Sequence, residues 1–214
     1  NFVMDFPKQF VILKDSDHCF FVLLEKKIKK RMTYKRYFNR ISIYIFLLFG
    51  LIVQAFSQNY VAELSEFREN YIKDVHKKFA NQKLDFFEIN QNFKIEADYK
   101  LQKKNKVVSF LTSDGIYKKY QVFATISFEI EGKKYHLTTY KFYPAPAMYR
   151  KLVFLPLKDL TAPEQTYGAG RYLDLSSDDF KDGKTVLDFN KLYNPYCAYS
   201  DNYSCPIPPK ENHL

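Results

Sequence analysis

The stretch VFATISFEIEGKKYHLTTYKF, Val122–Phe142, decides the fold. Val122, Ala124, Ile126, Phe128 and Ile130 recur at every second position, and a period of two belongs to a strand that turns one face inward. Glu131-Gly132 then supplies a two-residue turn tolerant of positive φ, and Tyr135–Phe142 returns, so the stretch reads as an antiparallel hairpin. Tyr143-Pro144-Ala145-Pro146 stops the ladder, because proline has no N–H to donate to it.

The same period extends outward on both sides. Upstream, Phe93, Ile95, Ala97, Tyr99 and Leu101 alternate with polar residues, Lys103–Lys106 interrupt, and Val107–Leu111 resumes up to a Ser113-Asp114-Gly115 turn. Downstream, Lys151–Leu155 forms a further short strand. Between Tyr60 and Ala80 the rhythm changes: Val61, Leu64, Phe67, Tyr71, Val75 and Phe79 fall three or four apart, with Glu63, Glu66, Glu69, Lys73 and Lys77 between them. That is an amphipathic helix whose stripe faces a core, with its acidic residues early and its lysines late as the helix dipole favours. The fold class expected is therefore α+β, mainly antiparallel β: an N-terminal helix, a curved sheet or small open barrel of about five strands, and long C-terminal loops.

The segment ahead of the helix carries a different signal. Met32 opens a basic run with Lys35, Arg36 and Arg40, Ile41–Phe56 is an apolar run of 16 residues broken only by Ser42 and Gln54, and Ala55 and Ser57 are small residues suited to cleavage before Gln58. A bilayer span takes about 20 residues, so the pattern reads as a secretory signal peptide over 32–57, preceded by an upstream extension, 1–31, outside the mature protein. Residues 58–214 then form a single domain, and the expected location is exported, periplasmic or secreted. The charge argument changes with it. The whole chain has a net charge of +9, but the remaining 157 residues hold 23 Lys and Arg against 20 Asp and Glu, or +3. A nucleic-acid partner is not expected, nor is a stable membrane span after leader cleavage.

Candidate chemistry concentrates in two loop-rich blocks. In the first, Gly168-Ala169-Gly170-Arg171 lets backbone N–H groups approach a ligand, with Arg171 offering a planar fork to an anion; Asp159, Glu164, Tyr167 and Tyr172 flank it. The bland alternative is a structural turn in which Arg171 pairs with Asp159, Asp174 or Asp188. In the second block, Asp188, Asn190, Asn194 and Tyr196 offer polar contacts, and Tyr193, Tyr196, Tyr199 and Tyr203 either line a pocket for an apolar or sugar-like ligand or cover the sheet. Cys197 and Cys205 enclose seven residues, and export favours a disulfide between them; a zinc site with His213 and Asp201 and a pair of free thiols are the other readings. His136 sits in a strand and His76 on the polar side of the helix, where packing or surface roles are ordinary. Neither a GxSxG elbow nor an HExxH helix is present, and no cofactor is expected.

The two blocks FLPLKDLTAPEQTYGAGRYLDL (Phe154–Leu175) and VLDFNKLYNPYCAYSDNYSCPIPPKENHL (Val186–Leu214) resemble the signature of the bacterial domain of unknown function 1684 family. A looser likeness reaches back to about Leu101. The resemblance implies kinship of fold and a candidate site region, and no reaction. In that family Glu211-Asn212 is usually followed by another apolar strand, which makes a chain truncated at its C-terminus the expectation. The function expected is binding of a small polar or anionic ligand without catalysis. The alternative is a hydrolase-like or metal-assisted enzyme using Asp159, Glu164 and Arg171, or Cys197, Cys205 and His213.

Overall fold

The computed structural model describes residues 17–80 and 82–214. Two compact units, Asn1–Asn59 and Tyr60–Leu214, divide the chain, and the long helix α1 (Asp17–Lys78) contributes residues to each. Residues 1–16 of the expected upstream extension lie outside the described residues. In the first unit the side chains from Ile41 to Ile52 are exposed, and among the described residues no helix is long and apolar enough to cross a membrane.

In the second unit α1 ends as an amphipathic segment. Leu64 and Val75 are fully buried, and Phe67 and Tyr71 are half-buried. Val61, expected in this stripe, is exposed, and Tyr60 takes its place. The physical reason is the pitch: Tyr60, Leu64, Phe67, Tyr71 and Val75 keep the spacing of a 3.6-residue turn, and Val61 falls off that line.

Seven strands follow among the described residues, every pairing antiparallel: β1 (Lys94–Leu101), β2 (Val107–Leu111), β3 (Tyr117–Ile130), β4 (Lys133–Phe142), β5 (Leu152–Leu157), β6 (Arg171–Ser176) and β7 (Lys184–Asp188). Their order is β6-β5-β4-β3-β1-β7, with β2 alongside β3. The hairpin turn forms as expected, with φ of 50° at Glu131 and 76° at Gly132, the twist a two-residue hairpin needs. β6 and β7 are two strands beyond the expected five.

The sheet curls. Leu187 of β7 and Leu173 of β6 stand at opposite ends of the strand order, yet both belong to one aliphatic cluster with Ala97, Ile126, Leu137, Leu155 and Leu157. Only a sheet bent around that cluster brings its two ends together, so the unit is a half-barrel.

β3 does not present one face along its length, as its alternation suggests. Val122 lies opposite Tyr140 whereas Ala124 lies opposite Thr139, so a bulge inserts one extra residue between them. Thr139 and Tyr140 are neighbours on β4 and therefore stand on opposite sides of the pleat. Tyr120 and Val122 thus join an aromatic cluster with Phe110, Tyr140, Phe154 and Tyr172, whereas Ile126 and Phe128 join the aliphatic one. One strand serves two cores.

The β4–β5 seam is short, pairing only Tyr140 with Phe154. Asn212 closes the gap beside it. Its buried carboxamide accepts from Thr138 N (2.7 Å) and donates to the carbonyls of Thr138 (2.8 Å) and Pro156 (2.7 Å), replacing ladder bonds that the splayed strands do not make.

Candidate ligand-binding groove

The aromatic face of the half-barrel does not pack out completely. Between the end of α1, strands β3 to β6 and the C-terminal tyrosine segment lies a groove of about 790 Å³. Phe67 and Tyr71 come from α1, Tyr120, Phe142, Phe154 and Tyr172 from the sheet, and Tyr193, Tyr196 and Tyr203 from the C-terminal segment. The rings hold one another in place. Phe154 meets Tyr172 edge-on at 4.7 Å between centroids, Tyr120 stacks on Phe154 at 5.7 Å, and Tyr193 stands perpendicular to Tyr172 at 5.8 Å.

One carboxylate opens into this apolar surface. Asp174 follows Tyr172 by two positions on β6, so it shares that residue's face, and it lies directly opposite Phe154. The residue is exposed to solvent. The Tyr193 hydroxyl donates to its Oδ2 at 3.0 Å. Crowding by the surrounding groups desolvates the carboxyl and holds its pKa above the ordinary carboxylate range, an effect that the Tyr193 hydrogen bond opposes. Burial also drives the phenol of Tyr120 up to about 12. Three neighbouring hydroxyls are committed: Tyr172 donates to the Pro206 carbonyl at 2.6 Å, Tyr140 to Glu211 at 3.1 Å and Tyr71 to the Asn194 carbonyl at 2.9 Å.

The sequence-predicted residues separate into three groups. Asp159 and Arg171 form an ion pair at 2.5 Å, with side chains only 22% and 12% exposed. Thr161 donates to the same carboxylate, through its backbone N–H at 2.9 Å and through its hydroxyl. Burial alone raises the Asp159 pKa, but the Thr161 hydrogen bonds and the Arg171 charge outweigh it, and the carboxyl stays below its usual range. Arg171 is therefore satisfied inside the fold. Gly170 is conformationally required: its φ is +108°, and a Cβ there would stand 2.6 Å from the Leu157 carbonyl oxygen and 2.8 Å from Pro208. The Tyr167 carbonyl closes this turn by accepting from Gly170 N, Gly168 lies beside Pro163, and Glu164 is exposed.

The second group ties α1 to the sheet. The Tyr60 hydroxyl donates to both oxygens of buried Asp188, at 3.0 and 3.1 Å. Asn190 donates to Asp188 through its backbone and its amide, and also to the Asn90 carbonyl. Burial, with the Asp188 charge beside it, raises the Tyr60 pKa. Only the third group, Tyr172, Asn194 and Tyr196, lines the groove.

Cys197 and Cys205 are joined in a disulfide with their Cα atoms 6.1 Å apart, so neither sulfur is a thiolate ligand. His213 lies on the tail, its Nε2 3.3 Å from the Pro208 carbonyl, and among the described residues no group of three His, Cys, Asp or Glu is placed to hold a metal ion. Cys205, Tyr196 and Tyr203 border the groove, and Phe79 of the helix end packs against Tyr196, Tyr199 and Tyr203.

Asp174 enters sequence reasoning only as an alternative partner for Arg171. The available signal was the alternation of Tyr172 and Asp174 with Leu173 and Leu175: an acid following an aromatic residue on one face of a strand.

Three comparisons with known proteins complete this picture. Residues 78–214 match the model of the family described as a protein of unknown function, DUF1684. A solution structure of an uncharacterised protein from Haloarcula marismortui is similar, with 35% identity, coverage of 63% of this chain and 72% of that one, and a TM-score of 0.52. Among the curated proteins, nothing matches the chain.

Proposed function

The chain belongs to the DUF1684 family, and we propose that its second unit is an exported, noncatalytic binding domain whose small ligand seats in the aromatic groove. One observation carries this reading: a concavity of about 790 Å³, with eleven aromatic residues in its lining, contains a carboxylate that no basic side chain neutralises among the described residues. Ligand sites are apolar clefts with a few polar groups placed to orient the occupant, and Asp174 is such a group. The phosphate-like anion suggested by Arg171 has less support, since that guanidinium is committed to Asp159 and lies outside the groove lining. Binding is favoured over hydrolysis because Asp159 is committed to Arg171, neither Asp159 nor Glu164 lines the groove, and the groove lining holds no histidine beside a nucleophile. Export rests on the leader-like pattern over 32–57 and on the disulfide, a bond that persists in oxidising compartments.

The test is occlusion. Asn70 lines the groove from the exposed side of α1, so Asn70→Trp fills the cleft without touching the core. Benzyl alcohol and related ring compounds are expected to show saturation transfer in NMR with the native protein and to lose it with Asn70→Trp at unchanged melting temperature. Binding that survives the tryptophan places the site elsewhere.

A further inference from the structure

We propose that the ligand of the groove is a small organic cation, an ammonium carried on a ring-sized apolar body, with the Asp174 carboxylate as its counter-charge. This rests on the reading of the groove as a binding site and adds the chemical class of its occupant.

Three observations converge on a cation. The first is charge without a partner: no lysine or arginine lies within ion-pair distance of Asp174 among the described residues. Tyr193 occupies Oδ2 at 3.0 Å, and Oδ1 has no hydrogen-bond partner there. A carboxylate crowded by apolar groups and without a counter-ion is costly even where water reaches one side of it, and that cost falls when a cation arrives.

The second is the ring arrangement. Phe154 lies across from Asp174 in the strand register, with Tyr120 stacked on it and Tyr172 edge-on to it. These three rings form the buried floor, and the more exposed Tyr71, Phe142, Tyr149 and Tyr193 line the open side. Aromatic faces present negative potential, and a cation held against those open rings while paired to a carboxylate gains from both. The hydrogen bonds of Tyr172 to Pro206 and of Tyr193 to Asp174 fix two rings before any ligand enters, so little ordering remains to oppose binding.

The third concerns the basic residues at the rim, which would argue for an anion if they were free. Lys118 donates to the Ser204 carbonyl at 2.6 Å, and Lys191 is paired with Glu63 at 2.8 Å. Asp74, the other acid of the lining, is paired with Lys77 at 2.8 Å, which leaves Asp174 as the acid available to a ligand; Lys118, oriented toward the Ser204 carbonyl but still charged, and Lys119 are the basic groups of the lining without an acidic partner among the described residues.

The test compares three probes that share a benzyl or phenyl ring at one ionic strength: benzyltrimethylammonium, benzyl alcohol and benzoate. Isothermal titration or NMR shift mapping should give benzyltrimethylammonium an affinity about tenfold above that of benzyl alcohol, the scale of one ion-pair and cation–π contribution. Benzoate should bind more weakly than either. Asp174→Asn should erase the advantage of the cation and leave benzyl alcohol within about twofold of its native affinity. Tyr193→Phe, which keeps the carboxylate, should retain the advantage and serves if Asp174→Asn does not fold. Equal affinity for cation and alcohol, or tighter binding of benzoate, overturns the cation inference while leaving the groove as a site. Failure of all three probes to bind overturns both.

Discussion

Single residues in this molecule divide into those that hold the fold and those that face the groove, and substitutions separate the two. Gly170 cannot accept a side chain, because its φ is +108° and a Cβ would meet the Leu157 carbonyl. Gly170→Ala is expected to cost about 2–3 kcal/mol in urea unfolding, the scale of a strained backbone plus a displaced contact. Arg171→Met leaves the Asp159 carboxylate without its partner and should cost about 2–3 kcal/mol, less than a wholly sealed pair because both side chains keep some exposure. The same variant should leave affinity for groove probes unchanged, which separates a structural arginine from an anion receptor. Asp174→Asn should behave in the opposite way. The folded state raises this carboxyl's pKa, so its ionisation opposes folding: the contribution to stability is full below about pH 4 and is lost as pH rises through the folded value. The asparagine variant should therefore melt higher than the native protein at pH 7, and the difference should shrink toward pH 4. A variant that melts lower at pH 7 would contradict the desolvated carboxyl.

At the scale of elements, the sheet depends on two local devices that differ in how they can be read. The hairpin Val122–Phe142 was legible, because its period and its Glu131-Gly132 turn agree. The bulge beside Val122 was not. An inserted residue leaves the apolar alternation unchanged on paper and only the partner strand reveals that the face has switched, since Tyr140 and Thr139 lie on opposite sides of β4. Asn212 was equally hidden: a polar residue in a proline-rich tail gives no sign that it is fully buried between β4 and β5. Asn212→Ala should cost about 3 kcal/mol in urea unfolding, because it orphans the backbone groups of Thr138 and Pro156 together. Of the candidate site, sequence reading located the tyrosine segment but centred the ligand on Arg171. Tyr120, Phe142 and Phe154 are separated from that segment by long stretches of chain, and only the curl of the sheet brings them to it.

For the molecule as a whole, stability should track acid and reducing conditions. The depressed Asp159 pKa contributes stability that is present above the ordinary carboxylate value near 4 and is lost as pH falls through the folded value. Between pH 5 and pH 2, melting temperature should fall more steeply for the native protein than for Asp159→Asn; parallel slopes would remove Asp159 as a source of acid sensitivity. The disulfide closes a small loop, so replacing both Cys197 and Cys205 by serine should cost roughly 2.5 kcal/mol in the chain-entropy model. Because Tyr196 and Tyr203 border the groove beside that bond, the same variant should bind ring probes more weakly.

Asn212 also imposes a temporal order. It completes the seam at Thr138 from 74 positions further along the chain, so a nascent polypeptide cannot finish its half-barrel until synthesis has passed that asparagine. Until then the strands lack that closing contact, and the carbonyls of Thr138 and Pro156 lack the donor that the tail supplies.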